Sequence, residues 1–485
     1  MDTQALVARL TPLVGEAAII TDHQRLRTYE CDGLAHYKVT PGLVVLAETA
    51  QQVAATVAVC AELGVPFVAR GSGTGLSGGA LPSADGVLIV LSRMRAVREI
   101  DRESQRAVVE PGVINLQLTR QTSPLGYYFA PDPSSQQVCS IGGNVAENSG
   151  GAHCLKYGFT ANHVLGVEMV TPAGDLVEIG GKAPDQPGYD LLGAVVGSEG
   201  TLGVVTAVTV RLTRLPETVR CLLAAFPDMD TAGAATSAII GSGCIPAAIE
   251  MMDALAIEAA EAAVHCDYPE GAGAVLVVEL DGPGPEVEAQ FAQVERFCHE
   301  HHAFEIRIAQ SEEERALFWK GRKSAFAAVG RISPDYLVQD GVIPRTALAE
   351  VLRDIEAIAA EKGCRVANVF HAGDGNLHPL VLFDGAVEGE AERAEEVSGA
   401  ILDLCIEHGG SITGEHGVGS DKAKHMPRMF TNDDLDTMQL VRCAFDPESV
   451  SNPGKIFPTP RLCGERPGRH RGEHPLQAAG LAEVF

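Results

Sequence analysis

The stretch His371-Ala-Gly-Asp-Gly-Asn-Leu-His378 sets two imidazoles around a Gly-Asp-Gly-Asn core. That core continues neither a helix nor a strand comfortably, so it should turn and let both rings face one point. Further on, Gly414-Glu-His-Gly417 adds a carboxylate, Glu415, and a third imidazole, His416, with glycine on both sides for access. Two neutral imidazoles and a carboxylate make an open three-ligand set suited to Zn²⁺ or a similar divalent ion. His371, His378 and Glu415 are thus candidate metal ligands, and His416 is a candidate base. A lone histidine is more often a satisfied core or surface residue, but two around a turn plus a flanked Glu-His pair favour a site. Asp374 reads as stabilising its own turn. Arg322, in Trp319-Lys-Gly-Arg-Lys323, is a fork for a carboxylate; the spacing leaves a solvated helix cation equally open.

A second chemistry is carried by glycine. Arg70-Gly-Ser-Gly-Thr-Gly-Leu-Ser-Gly-Gly79 contains a literal G-x-G-x-x-G at Gly73–Gly78. The dinucleotide fingerprint must open a helix. Here Pro82, Gly86 and the apolar run from Val87 arrive too soon, so the nicotinamide reading fails on context. Glycine-rich loops of this density expose backbone N–H groups to phosphate. Pro131 to Ser135, Cys139 to Gly151, and Gly197-Ser-Glu-Gly200 with Gly203 are further loops of small residues and amides. Three such segments in one region suggest a long ligand threaded across the fold.

Hydrophobic periodicity supplies the elements that must position these groups. Leu43–Leu46, Val65–Ala69 and Val87–Leu91 read as buried strands. A helix after the first opens at Thr49, with Gln52 completing a capping box, and stops at Gly64. This is an α/β nucleotide-binding beginning. More strands are expected over 107–110, 164–171, 176–179 and 204–213, with a boundary at Leu215-Pro216. Beyond it, Ala/Glu-rich helical stretches over about 231–262, 286–303, 346–362 and 390–408 alternate with strands such as 275–278 and 366–370. The first thirty residues read as a short helical cap, and the tail from Arg461 as irregular.

The 485 residues carry 37 Lys plus Arg against 64 Asp plus Glu, a net charge of −27 that makes nucleic acid and direct membrane adsorption poor partners. No run approaches the ~18 apolar residues of a spanning helix, and no basic segment leads an apolar one at the start. The twelve cysteines include no Cys-x-x-Cys, which excludes a zinc ribbon and an iron–sulfur cysteine run. Thiols so scattered read as reduced and mostly buried, in a cytoplasmic protein.

These residues carry a family resemblance. RGSGTGLSGG, APDPSSQQVCSIGGNVAENSGGAHCLKYG and GSEGTLGVVT resemble the FAD-binding half of the vanillyl-alcohol oxidase / para-cresol methylhydroxylase (PCMH) flavoproteins. FHAGDGNLHP, SITGEHGVG, the Trp319–Lys323 stretch, RISPDYLVQDGVIPR and AFDPESVSNPGK resemble the FAD-linked 2-hydroxy-acid dehydrogenases of that superfamily, nearest the flavoprotein subunits of bacterial glycolate oxidases. The likeness implies an α+β architecture. An N-terminal helical segment (1–35) precedes a two-subdomain PCMH-type FAD-binding domain (36–215). A second, α/β cap or substrate domain (216–440), with antiparallel sheet and helices, carries the metal site. Segment 441–460 returns to the flavin domain, ahead of the tail 461–485.

The likeness further implies non-covalent FAD, because the loop 70–79 offers no histidine for attachment. Its pyrophosphate would lie on Arg70, Gly71, Ser72, Gly73, Thr74, Gly75, Leu76 and Ser77. Around the flavin would stand Pro131, Ser134, Ser140, Gly142, Gly143, Asn144, Asn148, Gly151, Gly197, Glu199, Gly200, Gly203, Val204 and Asn452. His371, His378 and Glu415 would hold a divalent metal, with zinc the first choice. His416 would be the base and Arg322 the carboxylate binder. The implied reaction oxidises a small 2-hydroxy acid, glycolate or D-lactate, to the 2-oxo acid, with hydride passing to flavin N5. Electrons would leave through flavin-type and iron–sulfur partner subunits to the quinone pool, bringing the protein to the inner face of the cell membrane. The alternatives are a D-lactate or D-2-hydroxyglutarate dehydrogenase acting alone, and a non-redox transferase on the same FAD fold.

Overall fold

The computed structural model describes residues 2–183 and 187–458; the stretch 461–485 read as an irregular tail lies outside them. Near the start, Val87–Val90 forms the centre of a four-stranded sheet, with Leu43–Leu46 and Phe67–Arg70 parallel on either side. Every residue of Leu43–Leu46 and Val87–Val90 is buried, which explains their unbroken apolar runs. Helix Ala50–Leu63 connects the first two strands of this parallel set. Thr49 Oγ1 accepts from the Gln52 N–H, and Gln52 reaches back one residue further than expected, to the Glu48 N–H at 2.8 Å. Gly64 closes the helix at φ 63°. No helix forms between Gly73 and Val87, so the G-x-G-x-x-G stays a loop.

A second, antiparallel sheet runs in the order Val97–Asp101, Arg106–Val109, Val204–Arg211, Val164–Val170, Leu176–Gly180. The glycine-rich segments connect or flank strands of these two sheets and face the space beside them.

The remainder is built on one large antiparallel sheet in which Glu305–Ile308, Thr218–Phe226, Ala274–Gly282, Ala248–Asp253 and Arg365–His371 lie side by side. Helices Met229–Gly241, Gly284–Glu300, Leu348–Lys362 and Glu390–Glu407 bury apolar faces in a core shared with one side of it. Ala254–Val264 and Glu312–Val329 pack in the core on the other. The expected helical stretch over 231–262 is therefore wrong in its middle. Ala248–Asp253 is a fully buried strand between two partners, and cross-strand pairing there overrides the helix propensity of an Ala/Glu/Met run.

After helix Asn432–Phe445 the chain comes back to the first sheet. The Phe67 N–H donates to Val450 O and the Asn452 N–H to Phe67 O, both at 2.8 Å. Ten described cysteines are free thiols, but Cys443 is disulfide-bonded, against the reading of all twelve as reduced. A bridge needs its two Cα atoms within about 7 Å, which spacing along the chain does not reveal. Among the described residues no helix is long and apolar enough to cross a membrane.

Candidate active site

The turn at 371–378 forms where strand Arg365–His371 doubles back through Asn376–Leu377. Asp374 Oδ1 accepts from the Asn376 N–H at 3.1 Å, stabilising the turn as expected. The two imidazoles meet at a ring-centre distance of 5.1 Å. Glu415 Oε1 stands between them, 3.3 Å from His371 Nε2 and 3.2 Å from His378 Nε2. The His416 ring stacks on His378 at 4.9 Å, with its Nε2 3.9 Å from Glu415 Oε1. The spacing thus brings together all four residues singled out for this chemistry.

Asp340 sets the backbone of the Glu-His pair. Fully buried, its carboxylate accepts from Thr413 Oγ1 at 2.6 Å, Gly414 N at 3.0 Å and His416 N at 2.8 Å, as well as from Glu415 N. The Lys422 ammonium lies 3.2 Å away. Burial alone would raise this carboxyl; Lys422, His416 and His378 hold it well below the usual range. Sequence reasoning missed Asp340, which stands in a strand-ending Val-Gln-Asp-Gly with no spacing signal to the turn it braces.

Glu250, on the strand misread as helix, was missed for that reason. Its Oε1 lies 2.7 Å from His371 Nδ1, which leaves Nε2 to face Glu415. Its Oε2 contacts Arg322 Nη2 at 2.7 Å without alignment for a hydrogen bond. Arg322 is only 3 % exposed and does not line the large cavity. It lies beside Phe326, 5.9 Å from that ring centre, and its Nε and Nη2 donors have no hydrogen-bond partner.

Could a divalent ion sit here? The ligand atoms of His371, His378 and Glu415 lie within 4.8 Å of one another, all three residues buried. Both ring nitrogens of His378 and Oε2 of Glu415 are buried without a hydrogen-bond partner. Buried polar atoms in that condition need a ligand. Burial works against charge at His371, yet Glu250 and Glu415 hold its imidazole well above the ordinary range. The site therefore favours added positive charge, which a proton or a cation supplies. The donor set fits. Asp340, His378 and His416 form a second trio, but the Asp340 oxygens are already occupied by the 413–416 loop.

Glu415 and His416 also stand on the wall of a cavity of about 990 Å³ that runs through the glycine loops. Arg70, Gly71, Ser72, Gly73, Thr74, Gly75, Leu76, Ser134, Ser140, Gly142, Gly143, Asn144, Glu199, Gly200 and Gly203 line it. Among the described residues none accepts a hydrogen bond from the backbone N–H of Gly71, Ser72, Gly73, Thr74, Gly75 or Leu76. A row of free amides of this kind can cradle a phosphate. A Cβ at Gly71 would lie 2.2 Å from Ser140 Oγ, so a larger residue there requires that hydroxyl to turn away. Ser140 itself caps helix Ile141–Glu147. An FAD-sized ligand fits this space.

Seven expected cofactor contacts lie off the cavity wall. Ser77 is buried, its carbonyl accepting from the Ser420 and Asp421 N–H groups. Pro131 O accepts from Asn115 Nδ2. Asn148 ends a helix at φ 52° and binds the Ala161 N–H. Gly151 packs on Asp132, the Gly197 N–H donates to Val145 O, and Val204 starts a buried strand. Asn452 Nδ2 donates to Gly79 O and Glu199 O. These residues brace the loops that line the cavity. Their composition matches the wall residues, so sequence alone does not separate the two groups. The cavity also takes in residues that the sequence did not single out, among them Gly33 to His36, Glu147, Lys323, Phe326 and Tyr336.

Glu199 does both jobs. It reaches the cavity and accepts the Val418 and Gly419 N–H groups, each at 2.7 Å. It thus ties a cofactor loop to the segment just after His416.

Comparison with known proteins identifies the family. Residues 41–180 match the FAD binding domain family, and residues 215–456 match the FAD linked oxidases, C-terminal domain. The chain is 50% identical over 468 residues to the glycolate oxidase subunit GlcD of Escherichia coli K12, covering 96% of this chain and 94% of that one. It is 31% identical over 428 residues to the mitochondrial D-lactate dehydrogenase [cytochrome] of Arabidopsis thaliana, covering 87% and 74%. The solved 4-ethylphenol oxidase of Gulosibacter chungangensis superposes with a TM-score of 0.78 at 18% identity, covering 94% of this chain and 97% of that one.

Proposed function

Because the chain belongs to the FAD-linked oxidases, the family that holds the GlcD subunits, and is an FAD-dependent oxidoreductase, we propose that it oxidises glycolate or D-lactate to the 2-oxo acid. One observation carries this reading: Glu415 and His416 are at once part of the His371–His378 cluster and part of the wall of the cofactor cavity. A candidate base and a candidate cation site thereby border the space in which FAD would lie. FAD, bound non-covalently, supplies the hydride acceptor at N5. His371, His378 and Glu415 would hold a divalent ion, zinc by its donor set, which would make a neighbouring hydroxyl more acidic.

His416 takes the hydroxyl proton. Burial pushes its imidazole down to about 4, so it is neutral at pH 7; as a base this weak, it depends on the hydroxyl being made more acidic by a cation at the neighbouring ligands. Asp340 fixes it through the backbone, and Glu199 fixes the residues that follow. Arg322, expected to bind the substrate carboxylate, is paired with Glu250 at 2.7 Å and lies off the cavity wall, so it adds positive charge beside the cluster without facing that space. The four glycine, serine and asparagine loops grip the cofactor, with Asn452 and its neighbours bracing them.

The electrons leave through partner subunits, a second flavin-type chain and an iron–sulfur chain, and these bring a cytoplasmic protein to the membrane. The cysteine spacing, with no Cys-x-x-Cys, supports an external relay. We place domain limits at 36–215, 216–440 and 441–460; the return of the chain beside Phe67 supports the last of them, whereas strand Ile19–Ile20, antiparallel to Leu43–Leu46, joins part of the expected N-terminal segment 1–35 to the first sheet.

The test is anaerobic bleaching of the purified yellow protein by a panel of 2-hydroxy acids, with and without a chelator. Wild-type protein should bleach, and His416→Ala should stay folded and yellow while bleaching at least a hundredfold more slowly, the lower end of about 10²–10⁴ for a general base. Unchanged bleaching in that variant removes His416 as the base.

A further inference from the structure

The substrate of the proposed reaction is an anion, and with FAD in place the large cavity is filled along its glycine loops. We infer that the anion enters by a separate pocket of about 330 Å³ beside Trp319, and that Lys323, at the junction of the two spaces, receives its carboxylate. This inference rests on the 2-hydroxy-acid reading and adds to it a route and a recognition residue.

Lys323 is the residue that lines both spaces. It belongs to helix Glu312–Val329, which also gives Phe326 and Ala327 to the large cavity. Phe326 lies 5.9 Å, ring to ring, from His378, whose ring stacks on His416. One turn earlier on a helix is the same face, so Lys323 stands on the side of the helix that looks toward the imidazole cluster. Arg322, the adjacent residue, is engaged by buried Glu250, which in turn contacts His371.

Charge agrees with an anion path. The whole chain is at −27, yet the small pocket collects Arg315, Lys320, Lys323 and His153 against Glu279 and Glu312. Both carboxylates are already engaged. Glu279 accepts from Trp319 Nε1 at 2.7 Å, lies 3.1 Å from His153 Nε2, and has Arg315 at 3.8 Å. Glu312 pairs with Arg315 at 2.7 Å. Among the described residues no carboxylate pairs with Lys320 or Lys323; Lys320 bonds Val264 O, and Lys323 lies 5.3 Å over the Trp319 ring. Asp132 and Glu279 also hold the His153 imidazole well above its ordinary range against burial, so it is charged at neutral pH. In an acidic protein a local cationic mouth raises the encounter rate with small anions. A pocket of this volume admits a short hydroxy acid.

The test uses the FAD-loaded full-length protein, with flavin bleaching followed by anaerobic rapid mixing against glycolate and D-lactate over a range of salt. Lys323→Met should lower the second-order bleaching constant by about tenfold or more, the lower end of electrostatic steering, and flatten its salt dependence. FAD content should not change, and Lys323→Arg should restore most of the rate. Exposed Ala316→Trp, which narrows the pocket without touching the cluster, should lower the same constant while the limiting rate at saturating substrate stays within about twofold of wild type. Wild-type constants and salt slopes in both Lys323→Met and Ala316→Trp overturn the inference. Wild-type protein that no 2-hydroxy acid bleaches removes the function proposed above, and this inference with it.

Discussion

Asp340 and Lys422 offer a severe test of how the Glu415–His416 loop is held. Both side chains are essentially excluded from water, at 0 % and 1 % exposure, and lie 3.2 Å apart. Asp340→Asn keeps the shape but removes the charge, leaving a buried ammonium without its counter-ion. Stranding one member of a buried pair costs about 3–5 kcal/mol. The amide also presents an NH₂ where the Asp340 carboxylate accepts from Gly414, Glu415 and His416 N–H groups. Lys422→Met should cost less, about 1–3 kcal/mol, because Asp340 keeps those backbone donors. The double variant should recover much of the Asp340→Asn loss, since no buried ammonium remains. Urea unfolding reports this well, because the single tryptophan, Trp319, sits in the core of the large sheet. With a slope of about 3 kcal/mol/M, Asp340→Asn should lower the midpoint by about 1 M or more. A midpoint shift below about 0.3 M, or a double variant as unstable as the sum of its parts, would refute the claim that this pair anchors the loop.

Gly71→Ala should weaken FAD retention on gel filtration while leaving secondary structure intact, since its Cβ, 2.2 Å from Ser140 Oγ, forces that hydroxyl to turn; yellow protein at full occupancy contradicts the cradle. Glu250→Gln should weaken metal retention by about 10–100-fold, because it loosens the Nδ1 contact that orients His371; metal content after dialysis against graded chelator measures it, with His371→Ala as the limit. A pH effect follows from Lys455, whose ammonium burial pushes down to about 8 from 10.5 in spite of Glu199, Asp32 and Glu147. Between those values the unfolded chain binds more protons, so stability rises with pH. Thermal midpoints of wild type should therefore gain on Lys455→Met between pH 8 and 10.5, and a constant difference over that window counts against the buried charge.

How much of this was legible beforehand follows from what kind of signal each residue carries. His371, His378, Glu415 and His416 sit in local patterns, a turn and a glycine-flanked pair, and local patterns survive folding; all four converge. Gly71 to Leu76 were legible for the same reason, because a glycine run states its own backbone freedom. Glu250 and Asp340 were not. Each acts through a partner 121 or about 75 residues away, and nothing in Ala-Ile-Glu-Met-Met-Asp or Val-Gln-Asp-Gly names that partner. The error over 248–253 and the omission of Glu250 are one event: a strand that takes its identity from two neighbours was read as helix, and its inward carboxylate vanished with it. Arg322 shows the same limit from the other side. Its fork was recognised, but whether a fork meets substrate or a buried carboxylate depends on the Glu250 that only the folded sheet delivers. Ligand atoms that touch the reacting centre are thus written locally, while the groups that orient them are written in pairs across the sheet. Variants at Glu250 and Asp340 should accordingly spare the cluster's identity and degrade its geometry, lowering metal retention and loop stability before they alter which acids are accepted.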